Sequence, residues 1–442
     1  MSTTRGTLPF RIAFLLLPLT SCGEQDPVAP VDRGSLIVVV ETSGPDPDPD
    51  GYTLLLDDTS DHALPVAGTA TVTDLLIGEH AIGITDIATN CTTTGALPLT
   101  VTIAARAEAT VTFSLVCGKI LRYDLAYEDV ENGDTEIFLR PATGGPPRNL
   151  TRSPGPDGDP WWSPDGRRLA FSSQRSGNGD IYVMEADGSG VVRLTRTDEI
   201  DNAPRWSPDG SRILFKRWAG IGSEPTLFVM NADGSGEFDL SPGAGWEDDG
   251  AWSPDGRRIA FVSTRNSVYS AQLHLIHADG SNLTLLGEEL ELVGSPSEPD
   301  WSPDGSQIAF WLREDSGWNP RTGIYQINAD GTNLVQLKGD GYRYPRWSPN
   351  GSQLLISSVG ARSGDIYEGL ASYLRVRNVV SGDEKMLHPE SDGYQVFGTW
   401  APDGKLISFC DGSLAVIAPD GTGLTELLPY CAMGLAWRPT AP

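Results

Sequence analysis

Seven tryptophans along this chain each precede Ser-Pro-Asp-Gly or a drifted copy of it. The full form follows Trp162, Trp206, Trp252 and Trp301. Asn350 replaces the aspartate after Trp347, Ala401 replaces the serine after Trp400, and only Pro439 of the motif survives after Trp437. The separations are 44, 46, 49, 46, 53 and 37 residues. A period in the forties is that of a four-stranded propeller blade, and it is too long for most helical or leucine-rich repeats.

The interior of each unit repeats as well. After the glycine comes a short apolar strand, Leu169-Ala170-Phe171, Ile213-Leu214-Phe215, Ile259-Ala260-Phe261 or Ile308-Ala309-Phe310. A polar turn leads to a second strand such as Asp180–Met184 or Gly323–Ile327, and then to an Asp-Gly turn at Asp187, Asp233, Asp279, Asp330 and Asp420. Asp-Gly between such runs is a strong hairpin signal. A last short strand closes the unit, as Val192–Thr195 does.

Counting units fixes the architecture. Residues 119–151 carry three strands with no tryptophan strand before them, whereas Leu435–Pro439 is a tryptophan strand with nothing after it. The two fragments sum to one blade. The expectation is an all-β chain whose main body is a seven-bladed β-propeller, closed when the C-terminal strand completes the N-terminal blade. Closure leaves only short, protected sheet edges.

These units resemble the TolB-type propeller repeat, Pro-x-Trp-Ser-Pro-Asp-Gly followed by an apolar strand and an Ile-Tyr strand. Pro204-Arg205-Trp206 and Pro345-Arg346-Trp347 match even the upstream proline. The resemblance covers roughly residues 119–442. It implies the fold but no ligand, since fold does not carry function. TolB itself is usually six-bladed with a preceding α/β domain, so its partner is not inherited.

Ahead of the propeller, residues 1–21 read as a lipoprotein signal. Arg5 and Arg11 are its cationic start and Ile12–Leu19 its apolar stretch, too short and too interrupted by Pro18 to span a membrane. Leu19-Thr20-Ser21-Cys22 resembles a lipobox, which implies lipidation of Cys22. Residues 22–33, polar and proline-containing, read as a tether. Residues 34–117 form a separate small β-sandwich, with strands expected at 35–41, 52–57, 69–73, 80–85, 99–104 and 109–116. Within it, Val72–His80 resembles the strand-leucine-glycine-strand signature of small surface-associated modules.

Beyond Cys22, four cysteines remain, two in each domain. Within-domain pairing, Cys91 with Cys117 and Cys410 with Cys431, is favoured by proximity, although other pairings exist on paper. No Cys-x-x-Cys or Cys/His cluster suggests a metal. The net charge of −27 disfavours a nucleic-acid partner, because phosphate binding needs clustered positive charge. It is the ordinary condition of a soluble exported protein.

Catalytic signatures are missing from the sequence. It contains neither Gly-x-Ser-x-Gly nor His-Glu-x-x-His, and its five histidines do not cluster. No cofactor is expected. Asp46, Asp48 and Asp50, with Gly51 and Asp57, have the spacing of a calcium loop, but the intervening prolines and the strand that follows favour a plain turn. The motif aspartates are read as turn caps and the tryptophans as packing between blades.

If the tryptophan strands are innermost, the variable residues before them line one mouth of the channel: Asp159, Asn202, Asp249, Glu298, Arg343 and Gln395. Variable loops on a regular scaffold are where binding is expected. The reading is a monomeric, non-enzymatic envelope lipoprotein, held at the outer membrane by its lipid and binding an envelope protein through this mouth. The alternative is a carbohydrate-binding protein or polysaccharide lyase, with Trp246, Trp318, Tyr342 and Tyr344 stacking on sugars. A third possibility is the noncatalytic half of a peptidase system.

Overall fold

The computed structural model describes residues 32–440, apart from 58, 89, 221, 244, 266–269, 288–294, 314–321, 340–341, 360–370 and 393–396. Cys22, Gln395 and Trp318 therefore lie outside the described residues. Every element described is a β-strand, assembled into nine four-stranded sheets. Among the described residues, no helix is long and apolar enough to cross a membrane.

Two of the sheets form the N-terminal sandwich. One runs in the order Gly68–Leu76, Arg33–Ser43, Glu108–Cys117, Cys91–Thr93. The other runs Thr59–Leu64, Tyr52–Leu56, Gly78–Thr85, Leu99–Ile103. Period-two alternation puts Leu36, Val38 and Val40 inward against Leu54, Ile82, Phe113 and Leu115, which form the core. Two strands went unread in the sequence. Thr59–Leu64 is a polar edge strand, and Cys91–Thr93 is only three residues long.

Cys91 and Cys117 face each other across one sheet and are disulfide-bonded. Asp48, whose spacing suggested calcium, is buried and serves as a turn cap instead. Its carboxylate accepts the amides of Asp50 (3.2 Å) and Ala88 (2.8 Å). Asp46 accepts the Ile120 amide at 2.8 Å and pairs with Lys119. Asp46 thus fastens the sandwich to the chain entering the propeller, while Asp48 acts within the sandwich. Among the described residues, no group of three or more His, Cys, Asp or Glu could hold a metal.

The remaining seven sheets are blades. Blade 1 contains Leu125–Glu131, Asp134–Arg140 and Arg148–Asn149, and its fourth strand is the C-terminal Met433–Trp437, with Trp437 opposite Leu125. Blades 2 to 7 begin with Asp157–Trp162, Ile200–Trp206, Glu247–Trp252, Ser295–Trp301, Tyr342–Trp347 and Phe397–Trp400, and each adds three strands in chain order. Leu121, Leu125, Tyr127 and Trp437 pack with Leu414, Val416 and Leu427, joining blade 7 to blade 1. Cys410 and Cys431 are bonded within the chain that spans this junction.

The motif residues explain why the units repeat. Asp165 Oδ1 accepts Ser163 Oγ at 2.6 Å and the Arg167 amide at 3.1 Å, while Ser163 Oγ accepts the Arg168 amide at 3.0 Å. The same three bonds recur around Asp209, Asp255, Asp304 and Asn350. Asparagine suffices in the last because only Oδ1 is used.

The glycine that follows is left-handed in each copy and rests on the motif proline of the preceding blade. A Cβ on Gly210 would sit 3.5 Å from Pro164 Cδ. Gly166 closes against Pro439, whose carbonyl oxygen a Cβ would meet at 2.2 Å, so even the worn C-terminal copy keeps its part in the ring.

The tryptophans lie between blades. The indole Nε1 of Trp162, Trp252, Trp301 and Trp400 donates to the backbone carbonyl just before the tryptophan of the preceding blade, at 3.0–3.2 Å. An arginine from the preceding blade lies over the indole ring in four cases: Arg168 over Trp206, Arg212 over Trp252, Arg258 over Trp301 and Arg438 over Trp162, at 4.6–5.3 Å. Such contacts are worth about 0.5–1 kcal/mol where water reaches them.

Candidate functional site

The tryptophan strands are innermost. Each pairs with one strand of its own blade, and charges on those of blades 2 to 6 act on one another across the axis. Arg205 of blade 3 feels Arg346 of blade 6, Asp159 of blade 2, Asp249 of blade 4 and Glu298 of blade 5.

At the end of the channel away from the motif turns, six blades share a bulge. The pairing register slips between the fourth and first residues before the tryptophan in blades 1 to 6, whereas blade 7 pairs without a slip. The bulged residue, third before the tryptophan, is left-handed in each: Gly434, Asp159, Ala203, Asp249, Glu298 and Tyr344, with φ between 50° and 58°. For a non-glycine residue this conformation costs roughly 1 kcal/mol, and bulges of this kind re-aim side chains beside functional sites. Here the bulge turns the third-before residue toward the mouth.

Of the residues expected at the mouth, Asp159, Asp249 and Glu298 hold the bulge position. Asn202 and Arg343 fall one residue short of it, and Ala203 and Tyr344 take their place. Arg343 lies over the Trp311 ring at 4.5 Å. Nothing in the sequence marks the bulge at Ala203 and Tyr344, because neither residue type signals a left-handed turn.

The bulge carboxylates stitch neighbouring blades together. Asp159 Oδ2 accepts the Ala203 amide at 3.2 Å, and Asp249 Oδ2 accepts the Glu298 amide at 3.0 Å. Glu128, from the strand Leu125–Glu131 of blade 1, does the same for Asp159 at 2.7 Å. Its reach depends on Gly434, where a Cβ would lie 2.3 Å from Glu128 Oε1.

Deeper in the channel stand the residues immediately before each tryptophan. Trp161, Arg205, Asp300 and Arg346 alternate with buried prolines and tryptophans and so face inward. Arg346 donates to Glu298 Oε2 at 2.9 Å, Asp300 accepts the Trp347 amide at 2.6 Å, and the Arg205 guanidinium lies over Trp161 at 4.0 Å. Sequence reasoning missed Arg205, Asp300 and Arg346, although they are the variable x of Pro-x-Trp. Alternation about the buried tryptophan is the signal that finds them.

Burial dominates the electrostatics. It pushes the carboxyls of Glu128, Asp249, Glu298 and Asp300 above the usual range; for Asp249 the neighbouring Asp248 adds to this, while for Glu298 Arg346 opposes it. Burial, with Arg346 as a like charge, lowers Arg205. Burial also works against Arg346, but Glu298, Asp300 and Asp249 outweigh it and hold that guanidinium above its ordinary value. The result is an acidic mouth with two guanidiniums set within it, suited to a ligand that carries charges of both signs.

The histidines lie elsewhere. His274 is buried against Phe261, and burial lowers its pKa to about 4, whereas His277 is exposed beside Ser281.

This all-β ring of four-stranded blades, with a charged, bulged mouth, defines the molecule as a β-propeller. The model of the TolB beta propeller domain matches residues 121–288 and 244–413, more than half of the chain, which belongs to that family. No curated protein matches it. Among solved structures it is similar to TolB from Acinetobacter baumannii (17% identity over 73% of this chain and 68% of that one, TM-score 0.47). It is also similar to an oligogalacturonate lyase in complex with manganese (17%, 70% and 86%, TM-score 0.49). A puromycin-hydrolyzing peptidase of Mycobacterium tuberculosis matches at 15% identity over 70% of this chain, with a TM-score of 0.52, and the match spans 53% of that protein. Identities this low speak to the fold alone.

Proposed function

We propose that this chain is a lipid-anchored envelope protein of the outer membrane that binds a protein partner at the bulged mouth of its propeller, without catalysing a reaction. The observation that carries the reading is the contrast within the mouth. The bulge backbone repeats in six blades, while the side chains it presents differ in every neighbouring pair. A surface kept geometrically constant but chemically varied suits recognition of one asymmetric partner. Its excess of carboxylates over guanidiniums favours a partner segment rich in Lys or Arg. Export is supported by the Leu19–Cys22 lipobox and by two disulfides, which persist in oxidising compartments.

The test is crosslinking of the lipidated protein in its native envelope, comparing wild type with Asp249→Asn and with Arg205→Gln. A recurrent envelope protein captured by wild type and lost in both variants is the expected result. Equal capture by all three would remove the mouth as the site. Trp161 and Tyr344, aromatic groups at this mouth, favour a second reading in which a glycan stacks there. Retained glycan fragments, or unsaturated products released from an acidic polysaccharide, would establish that reading instead.

A further inference from the structure

The two ends of the sandwich face different surroundings. At one end Ser43 lies opposite Val116, the Cys91–Cys117 bond closes the sheet, and Gly118 donates to Asn90 O at 2.7 Å; here Asp46 holds Lys119 and Ile120 at the entry to the propeller. At the other end the first strand begins. Arg33 lies opposite Leu76, and its carbonyl accepts the Arg106 amide at 2.8 Å. The adjacent turn exposes Leu76 and Ile77, at 52% and 51% of their surface, and Gly78 opens onto empty space. Leu75 packs into the core, and the two residues after it form an exposed apolar tip.

We infer that this tip, Leu76 and Ile77, rests in the interface of the lipid bilayer. The inference rests on the lipid-anchor reading of Cys22. Ten residues separate Cys22 from Arg33, a reach of at most about 35 Å, and that tether enters the fold at the residue paired with Leu76. The bilayer is therefore the surface this tip meets first.

Arg33 and Arg106 share this end with Asp57, Asp74, Glu79, Glu108 and His80, so the contact is apolar and does not depend on anionic lipid. His80 is occupied by Asp57 at 2.6 Å. From the tip, the sandwich strands run about 30 Å to the propeller seam, which makes the small domain a spacer that holds the channel off the membrane.

The experiment uses the full lipidated chain in phosphatidylcholine–phosphatidylethanolamine vesicles. A polarity-sensitive thiol probe is placed at Ile77→Cys or, as a control, at Val380→Cys on a propeller turn that is 94% exposed. The probe at 77 is expected to shift to the blue on reconstitution and to be quenched by doxyl-labelled lipid, while the probe at 380 does neither. A third probe at Ala105→Cys, at the same end, should lose its response when Leu76 and Ile77 are both replaced by serine. Solvent-like emission at 77 in protein whose N-terminal peptide carries the lipid would overturn the inference and leave the anchor standing. An N-terminal peptide without lipid would overturn both.

Discussion

The two ends of each tryptophan strand obey different rules. After the tryptophan, serine, aspartate and glycine bond to one another and rest on the proline of the preceding blade, so side-chain identity is what repeats. Before it, the bulge is what repeats, and Gly434, Asp159, Ala203, Asp249, Glu298 and Tyr344 occupy one backbone position with unlike chemistry. One end is written in residues because its bonds lie within one motif and its packing falls on the same motif of the preceding blade. The other is written in backbone geometry, which lets its side chains vary from blade to blade.

The sharpest way to break this contrast is to cut at both ends of one strand. Trp162→Ala leaves a cavity between blades and removes the bond to Ala436 O, an expected loss of about 3–5 kcal/mol in urea unfolding. Trp161→Ala, one residue earlier and facing the channel, should lose less than about 1 kcal/mol. Comparable losses would mean that the mouth is structural.

Acid offers a second cut. Unfolded His274 protonates near its ordinary 6.5, while the folded protein keeps it neutral down to about 4. Stability is therefore full above pH 6.5 and drains as pH falls from 6.5 to 4, by about 3 kcal/mol at most. Tyrosine stands at this position in blades 2 and 5. Substituting His274→Tyr should remove that drain, and identical acid profiles for variant and wild type would contradict the assignment.

Smaller effects sharpen the comparison. Asp209→Ala deletes a turn cap and should cost about 1 kcal/mol. Ala203→Gly relieves a left-handed alanine and should gain about 0.5 kcal/mol, read as a small rise in Tm. Asp249→Asn should change stability least while weakening partner capture. A large stability loss there would make its bond to the Glu298 amide, rather than recognition, its main role.

Most of the propeller was legible in the sequence because its repeat is made of local contacts. Ser163, Asp165 and Arg168 form a turn whose hydrogen bonds close within a few residues. The mouth was legible only in part. Asp159, Asp249 and Glu298 were reachable by counting back from each tryptophan, but at the same third-before position in blades 3 and 6 alanine and tyrosine give no turn signal. Glu128 was out of reach, because it enters the mouth from a second strand through the gap left by Gly434, a relation that exists only after the C-terminal strand has paired.

That pairing has a consequence for the order in which the molecule can be built. Trp437 meets Leu125 across the whole length of the propeller sequence, and Pro439 meets Gly166. The contacts of greatest sequence separation thus seal the ring, and contacts of such long range belong to the slow end of folding. Until then blade 1 presents an open edge on Leu125–Glu131, the strand against which Glu128 is later fixed. The blade 1 side of the mouth and the seal are therefore completed in the same event, and an unsealed ring has an unfinished mouth.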